Sequence, residues 1–176
     1  YGVARYEGVM EDAIKLFKFH GKQRLAKPLG ELVVDFAGRE VECDRYNTLV
    51  PVPLHPVRQR ERGFNQARLL ADAVAGAFPN AVVAPVLRRI RPTRVQSTIH
   101  DPRERRKNIE GAFAMDEKAP PPKGHVLLID DVITTGFTVG ENAKTLLAAG
   151  AESVDVFAPA LAVLRHLLQG VDNRGP

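Results

Sequence analysis

The sequence predicts an α/β fold with a mainly parallel central sheet flanked by helices. Short apolar segments of strand length alternate along the chain with longer segments in which apolar residues recur at helical spacing. Residues 126–129 are apolar throughout, which is typical of a strand that is covered on both faces. A length of 176 residues, of which 44% are hydrophobic, corresponds to a single domain with its own core.

The individual elements follow from this periodicity. Helical spacing of apolar residues predicts helices near residues 10–17, 25–36, 67–78, 139–147 and 162–168. Gly38 and Gly150 are the expected stops of two of them. Apolar, often valine-rich segments predict strands at residues 48–52, 81–87, 111–115, 126–129 and 154–157. We expect residues 1–176 to form one domain with a helical N-terminal part at 1–40, a flexible basic loop at 88–110 and a disordered tail at 170–176.

Composition argues against several classes of protein. The one cysteine, Cys43, cannot form an intrachain disulfide, and we expect a buried apolar residue rather than a nucleophile. No apolar run approaches the ~18 residues of a membrane span, and no signal peptide is recognisable. We therefore expect a cytoplasmic protein without membrane insertion. Because the chain opens at Tyr1 rather than at methionine, we also expect a trimmed or partial sequence.

The formal net charge of +4 is concentrated in two short stretches. Residues 88–110 contain eight basic and three acidic residues, a net charge of +5 that exceeds the charge of the whole chain. A second cluster consists of arginines around Glu61, namely Arg58, Arg60, Arg62 and Arg68. Such clusters indicate a polyanionic partner, either a phosphate compound or a nucleic acid, unless they form a solvated basic face.

Residues 125–139 carry the clearest chemical pattern. The apolar strand delivers two adjacent carboxylates, Asp130 and Asp131, to its carboxyl end, where open α/β sheets bind ligands. A threonine-rich loop then leads into a helix, and Gly136 allows a tight turn. Hydroxyls and free N–H groups at a helix start can hold a phosphate, whereas carboxylates accept hydrogen bonds from sugar hydroxyls. The pattern suits a phosphorylated sugar with vicinal hydroxyls, with a capping or solvated turn as the alternative for the acid pair.

Other nucleotide-binding and hydrolase motifs are absent from the sequence. It has neither the Gly-x-x-x-x-Gly-Lys-Ser/Thr loop of a P-loop NTPase nor the Gly-x-Gly-x-x-Gly of a dinucleotide site. The serines, Ser97 and Ser153, belong to no Gly-x-Ser-x-Gly motif, and the histidines have no metal-ligand spacing.

The same stretch resembles the signature with which type I phosphoribosyltransferases bind phosphoribosyl pyrophosphate (PRPP). That signature is an apolar strand, two acids and a Thr-Thr-Gly-x-Thr loop. Other motifs resemble the ComF competence-protein family, a branch that includes the GntX-like proteins: Tyr6-Glu-Gly8, Lys18-Phe-x-x-Gly21, Pro51-Val-Pro-Leu-His55, Arg60-Glu-Arg-Gly-Phe-Asn-Gln66 and the segment from Arg88 to Phe113. The resemblance covers nearly all of residues 6–160 and implies a type I phosphoribosyltransferase fold.

The sequence departs from that family in two respects. Phe137 occupies a loop position where the family often has a small residue. The cysteine-rich zinc module with which many members begin is missing from the sequence.

The resemblance implies roles for particular residues. Asp130 and Asp131 are expected to contact the ribose 2′- and 3′-hydroxyls of PRPP, and its Mg²⁺ indirectly through the ligand. The residues expected to hold the 5′-phosphate are Thr134, Thr135, Gly136, Phe137 and Thr138, and Val132 is expected to contact PRPP beside them. Those expected near the pyrophosphate are Pro53, Leu54, His55 and Arg62. A plain turn residue is the alternative for His55, and turn, packing and capping roles are the alternatives for Gly63, Phe64 and Asn65.

The resemblance also places a flexible catalytic loop at residues 88–110, whose closure is expected to exclude water and bring cations to the leaving pyrophosphate. Its candidate catalytic residues are Arg89, Arg94, Arg103 and Arg106, with Arg105 as a further candidate. For any one of them a solvated arginine is the alternative. The implied reaction displaces pyrophosphate from ribose C1, with Mg²⁺ as the cofactor that neutralises the leaving group.

Two functions from different classes stay open. The first is a Mg²⁺-dependent phosphoribosyltransferase that uses PRPP and an unidentified acceptor base. The second is a non-catalytic module that binds PRPP and uses its basic segment to bind single-stranded DNA in competence and DNA uptake. No Phe, Tyr or Trp lies between Arg88 and Glu110, which leaves base stacking few platforms there. The acceptor and the oligomeric state, a homodimer included, are open.

Overall fold

The computed structural model describes residues 1–19, 22–93, 99 and 101–162. Its helices are α1 (Gly8–Phe17), α2 (Ala26–Glu40), α3 (Pro56–Arg62), α4 (Gln66–Val74), α5 (Pro102–Ile109) and α6 (Phe137–Ala148). Its strands are β1 (Gly2–Arg5), β2 (Thr48–Pro51), β3 (Val82–Val83), β4 (Leu87–Arg89), β5 (Phe113–Met115), β6 (His125–Ile129), β7 (Val132–Ile133) and β8 (Ser153–Leu161).

Within the described residues, the central sheet has six strands, all of them parallel. Five of them follow the order β1-β8-β6-β2-β3, and β7 pairs with the last residues of β8. A separate antiparallel pair is formed by β4 and β5. The fold class predicted from the sequence, a mainly parallel sheet flanked by helices, is confirmed.

The sheet is covered on both faces because successive side chains of a strand point to opposite sides. Leu127 and Ile129 of β6 pack in one cluster with α1, α2 and α4. Val126 and Leu128 pack in another with α6 and the first residue of β4. All four side chains are at most 1% exposed, so β6 is buried on both sides, as its apolar run predicts.

The sequence predicts a helical N-terminal part at residues 1–40, but in the structure this part also contains a strand. It begins with β1, which lies at the edge of the central sheet and pairs Gly2 with Ala158 of β8. This strand has four residues, too few for a period-2 pattern to be recognised. The following helix α2 also runs through Gly38, the expected stop, and ends at Glu40.

The basic segment at residues 88–110 is not one loop. Arg88 and Arg89 belong to β4, and α5 begins after Asp101, whose side chain accepts a hydrogen bond from the Arg103 N–H at 2.8 Å. The strand predicted at 81–87 is divided between β3 and β4. The helix predicted at 162–168, apart from Ala162, and the tail predicted at 170–176 lie outside the described residues.

Candidate acid and phosphate site

Two carboxylates stand at the carboxyl end of β6, between its neighbours in the sheet. Ile129 pairs with Pro51 of β2 and with Phe157 of β8. The backbone N–H of Asp130 donates to the Phe157 carbonyl at 3.1 Å, and Asp130 Oδ1 accepts a hydrogen bond at 2.8 Å from the N–H of Asp131. Asp131 is 7% exposed and Asp130 is half-buried. The fold therefore brings both predicted acids together at the ligand-binding edge of the sheet.

Burial, together with the negative charge of Asp131, raises the pKa of Asp130 to about 7. The backbone hydrogen bond from Asp131 and the charges of Lys18 and Arg89 act in the opposite direction. Lys18 Nζ, one residue past α1, lies 3.3 Å from Asp131 Oδ1. Near neutral pH this pair therefore holds negative charge that further cations or hydroxyl donors can stabilise.

The loop after the acids forms the start of α6. Val132 pairs with Ala160 of β8, and Gly136 then adopts a φ of 77°, in the left-handed region that favours glycine. The Gly140 N–H donates to the Gly136 carbonyl at 2.8 Å, so the N–H groups of the preceding helical turn have no partner within the helix. Phe137 is the first residue of α6 and half-buried, so the departure from the family pattern falls within the helix.

Threonine hydroxyls surround this helix start. Thr134 is exposed, whereas the hydroxyl oxygen of Thr135 is buried and has no hydrogen-bond partner among the described residues. Thr138 lines an adjacent cavity. A buried hydroxyl at the start of a helix favours an anion there, because an unsatisfied buried donor is costly.

The turn between β2 and α3 reaches the same side of the sheet. Pro53 is buried, and Leu54 and His55 are half-buried. His55 is the N-cap of α3, and its Nδ1 accepts a hydrogen bond from the Val57 N–H at 3.3 Å. His55 thus has the turn role that the sequence analysis gave as the alternative, although its side chain also lines two cavities.

The residues after α3 have the structural roles given as alternatives. Gly63 ends α3 with a φ of 79°, and Phe64 is 7% exposed in the core. The Asn65 side chain accepts a hydrogen bond from the Ala67 N–H at 3.0 Å and so caps α4.

A cavity of about 400 Å³ connects α3 with the start of α6. Its wall includes Leu54, His55, Arg58, Arg62, Arg89 and Thr138. Arg62 Nη1 donates to Gln66 Oε1 at 3.1 Å. Burial lowers the pKa of Arg62, and the charge of Asp131 opposes that effect. The cavity therefore joins three arginines to the helix start beside the acid pair.

Arg89 is the candidate catalytic arginine that the structure brings to this cavity. It lies opposite Phe113 in the β4–β5 pair, with its guanidinium carbon 5.3 Å from the ring centroid, and it donates to the Thr93 hydroxyl. Its Nε is buried and has no hydrogen-bond partner in the part of the chain that the structure describes. Burial lowers the pKa of Arg89, and the charge of Asp130 opposes that effect.

Comparison with known proteins assigns the family. No protein-family model matches the chain. Competence protein F of Haemophilus influenzae is 31% identical over 164 residues, which cover 91% of this chain and 71% of that protein. The chain belongs to the ComF family. DNA utilization protein YhgH of Escherichia coli strain K12 is 32% identical over 158 residues, covering 88% of this chain and 68% of that protein.

Two further likenesses are weaker. Competence protein ComFC of Bacillus subtilis is 30% identical over 159 residues, covering 88% of this chain and 61% of that protein. Among solved structures, the AQ2163 protein from Aquifex aeolicus has a TM-score of 0.45 and 12% identity, covering 90% of this chain and 87% of that one. The ComF assignment depends on the sequence relatives alone.

Among the described residues, the other arginines predicted as catalytic in this ComF protein do not line the cavity. Arg103 and Arg106 are exposed on α5. Arg105 Nε donates to the Ile99 carbonyl at 2.6 Å, which connects α5 to Ile99. Arg94 lies outside the described residues. Of the sequence-based candidates that the structure describes, Arg89 is thus the one placed beside the acids.

Lys18 is the residue at the acid pair that sequence reasoning missed. In the sequence it stands out only within a family motif, because nothing there indicates that the end of α1 approaches the loop after β6. Its spacing is the available signal, since Lys18 lies four residues after the buried Ile14 and so continues the apolar side of α1, where a cation needs an acidic partner.

Two absences hold for the described residues. None of their helices is both long and apolar enough to cross a membrane. None of their His, Cys, Asp and Glu side chains form a group of three that could hold a metal ion.

Proposed function

We propose that this ComF protein binds PRPP together with Mg²⁺ and acts in the uptake or use of DNA, with single-stranded DNA as its second ligand. The observation that carries the proposal is the acid pair beside the threonine loop, next to a cavity lined by arginines. Relatives named for competence and for DNA utilization support the biological role.

In this proposal the acid pair binds the ribose of PRPP. Asp130 and Asp131 accept hydrogen bonds from the 2′- and 3′-hydroxyls, which stabilise the ionised carboxylates against the effect of burial. The 5′-phosphate lies against residues 134–138, where the Thr135 hydroxyl gains a partner that the described residues do not supply. The pyrophosphate extends towards Arg62 and Arg89 in the cavity.

Mg²⁺ is proposed to enter with the pyrophosphate rather than to occupy a cage of protein ligands. The described residues offer no such cage, and Mg²⁺ commonly binds one or two carboxylates together with substrate phosphates. Asp130 and Asp131 are oxygen donors of the required kind. The bound ion neutralises charge on the pyrophosphate, while the chain orients the sugar and holds its phosphates.

DNA contact is proposed for the exposed face of α5. Arg103, Arg106 and Lys107 are exposed, and their spacing of three and four residues puts them on one side of the helix. Cations on such a face contact phosphates and bind a strand without reading its sequence.

Transfer of the phosphoribosyl group is the second candidate function, and Arg89 is the observation that favours it. The reaction breaks the bond from ribose C1 to the pyrophosphate oxygen, which leaves with the electron pair. A nitrogen of the acceptor base forms the new bond to C1 and releases its proton to water. The unpartnered buried Nε of Arg89 is a donor available to the charge that develops on the leaving group.

Phosphorus NMR on PRPP and Mg²⁺ tests both candidates in one sample. We expect addition of the protein to broaden and shift the PRPP signals. A panel of nucleobases is then added, one at a time. Intact PRPP throughout supports a binding module, whereas pyrophosphate release with one base supports the transferase. PRPP signals that do not change on addition of the protein would contradict both.

A further inference from the structure

A second cavity, of about 610 Å³, lies between the turn after β2, strand β4 and the start of α4. It shares Leu54, His55 and Arg89 with the first cavity, and its other lining residues are different. None of the ligand roles proposed above requires it. Cavities of roughly 300–1,000 Å³ are of the size that holds small organic ligands.

The walls of this second cavity offer flat apolar surface. They include a group of prolines, namely Pro51, Pro53, Pro56 and Pro85. Leu87 is buried beneath them, and Ile90 is 56% exposed at the edge. Proline rings pack well against the faces of aromatic rings, which is the basis of many proline–aromatic contacts in recognition.

Guanidinium groups line part of the cavity. They belong to Arg68, Arg88 and Arg89, and no carboxylate lines the cavity among the described residues. Arg68 Nε is held 2.9 Å from both carboxylate oxygens of Asp72, and Arg88 lies 3.2 Å from Glu117 Oε1 and 3.7 Å from Asp116 Oδ1, so both are in surface ion pairs. Such pairs are weak in water, and phosphates attached to a planar ring in the apolar interior can compete with these carboxylates for the arginines.

We propose that this cavity takes one base of a DNA single strand, with the flanking phosphates on Arg68 and Arg88. This inference depends on the DNA role proposed above and says where on the protein a base of the strand binds. It supplies a stacking surface of proline rings near a basic segment that contains no aromatic residue between Arg88 and Glu110. Such stacking is tolerant of sequence because every base has a flat face.

A tryptophan placed at the cavity edge tests the contact with the base. The chain contains no tryptophan, so Ile90→Trp introduces a single reporter, and Val9→Trp on α1 is the matched control at a site that is 87% exposed. We expect a short oligothymidylate to quench the fluorescence of Ile90→Trp and not that of Val9→Trp. An abasic strand of equal length should quench neither. Equal quenching by the abasic strand, or none by oligothymidylate, would overturn the assignment.

Affinity measurements then separate this cavity from the α5 face. By fluorescence anisotropy, we expect Ile90→Glu to weaken binding of labelled oligothymidylate by about tenfold, as loss of one stacked base would. Val9→Glu should bind as the unchanged protein does. If Ile90→Glu binds normally while Arg103→Gln with Arg106→Gln binds weakly, the cavity assignment fails and the DNA role stands. If the unchanged protein binds no strand at low salt, both fail.

Competition with free thymidine tests whether the cavity binds a free nucleoside instead of a base within a strand. We expect thymidine to compete poorly with oligothymidylate because it lacks the phosphates that Arg68 and Arg88 contact. Competition by thymidine as strong as by the unlabelled strand would overturn the proposal and assign the cavity to a free acceptor.

Discussion

The acid pair after β6 and the basic segment at residues 88–110 use their charges in opposite ways. Asp130 and Asp131 stand side by side at a buried sheet edge, where burial and repulsion raise the pKa of Asp130. The basic side chains of residues 88–110 instead make separate contacts at different places. Arg91 Nη2 donates to the Glu110 carbonyl at 2.7 Å, and Arg105 donates to the Ile99 carbonyl. Among the described bases of the segment, Arg89 is the one that lines both cavities.

This difference shows why the net charge of a segment is a poor guide to its ligand. A buried strand holds the two carboxylates that follow it at one place on the sheet edge. Their charge therefore acts on a ligand at that place. Arginine side chains are long and bind carbonyl oxygens as readily as phosphates. Arg91 and Arg105 therefore stabilise the segment itself, and the availability of each base to a ligand has to be read from its contacts.

Among single substitutions of arginines, the largest loss of affinity for the proposed ligand is expected from Arg89, which lines both cavities. Arg89→Gln removes the charge opposite the acids, and we expect the affinity for Mg²⁺-PRPP to fall by roughly tenfold to a hundredfold, as for loss of a charged hydrogen bond. Isothermal titration calorimetry measures the change. Arg39→Gln, at an exposed ion pair on α2, should leave affinity intact. An Arg89→Gln variant with normal affinity would remove this residue from the site.

The raised pKa of Asp130 gives a prediction for stability. An acid whose folded-state pKa lies above its unfolded value stabilises the fold at low pH, and this contribution is lost as pH rises from about 4 to about 7. Asp130→Asn is neutral throughout. We expect its melting temperature, relative to that of the unchanged protein, to be about 5 °C more favourable near pH 8 than near pH 4.

The control for that measurement is Asp12→Asn, at an exposed carboxyl on α1, for which no such trend is expected. If the difference in melting temperature between Asp130→Asn and the unchanged protein is the same near pH 4 and near pH 8, the pKa of Asp130 is not raised in the folded protein.

Lys18 sharpens the description of the acid pair. Its Nζ lies 3.3 Å from Asp131 Oδ1, and its charge lowers the pKa of Asp130. Without that charge Asp130 ionises at a higher pH. We therefore expect Lys18→Met to raise the midpoint pH of Mg²⁺-PRPP binding by about 0.5 unit. Titration calorimetry at several pH values measures the midpoint. Lys15→Met, on the same helix but paired with Glu11, is the matched control. A midpoint that stays in place or falls would argue against an electrostatic effect of Lys18 on the acid pair.

The smallest effect is expected on the exposed side of the basic segment. Arg103→Gln with Arg106→Gln removes two proposed phosphate contacts, so the salt dependence of single-strand binding should become shallower by roughly 1.4 in log–log slope. Fluorescence anisotropy across a salt series gives this slope. Lys27→Gln with Arg39→Gln, two exposed changes on α2, should leave it unchanged. The same slope in both double variants would leave α5 without a role in DNA contact.

The parts of the fold that sequence reasoning predicted are those specified locally. The apolar run of β6, the acids that follow and the glycine turn into α6 are contiguous in sequence, so their geometry follows from one strand–loop–helix unit. The turn, packing and capping of residues 63–65 are equally local. In each case the residue types needed for the structure lie within a few positions of one another.

The parts that it missed depend on distant contacts. β1 and β7 have four and two residues and exist because β8 offers them an edge to pair with. Arg89 rather than Arg103 reaches the cavities because β4 pairs with β5, which sets Arg89 opposite Phe113. No local pattern in the sequence distinguishes one arginine of that segment from another.

Calorimetric titration of Mg²⁺-PRPP into the unchanged protein and into Asp130→Asn with Asp131→Asn decides whether the acid pair is a PRPP site. Circular dichroism first establishes that the double variant is folded, and Asp12→Asn serves as the control. We predict saturable binding to the unchanged protein and to the control, and no measurable binding to the double variant. Equal affinity in the double variant would contradict the assignment.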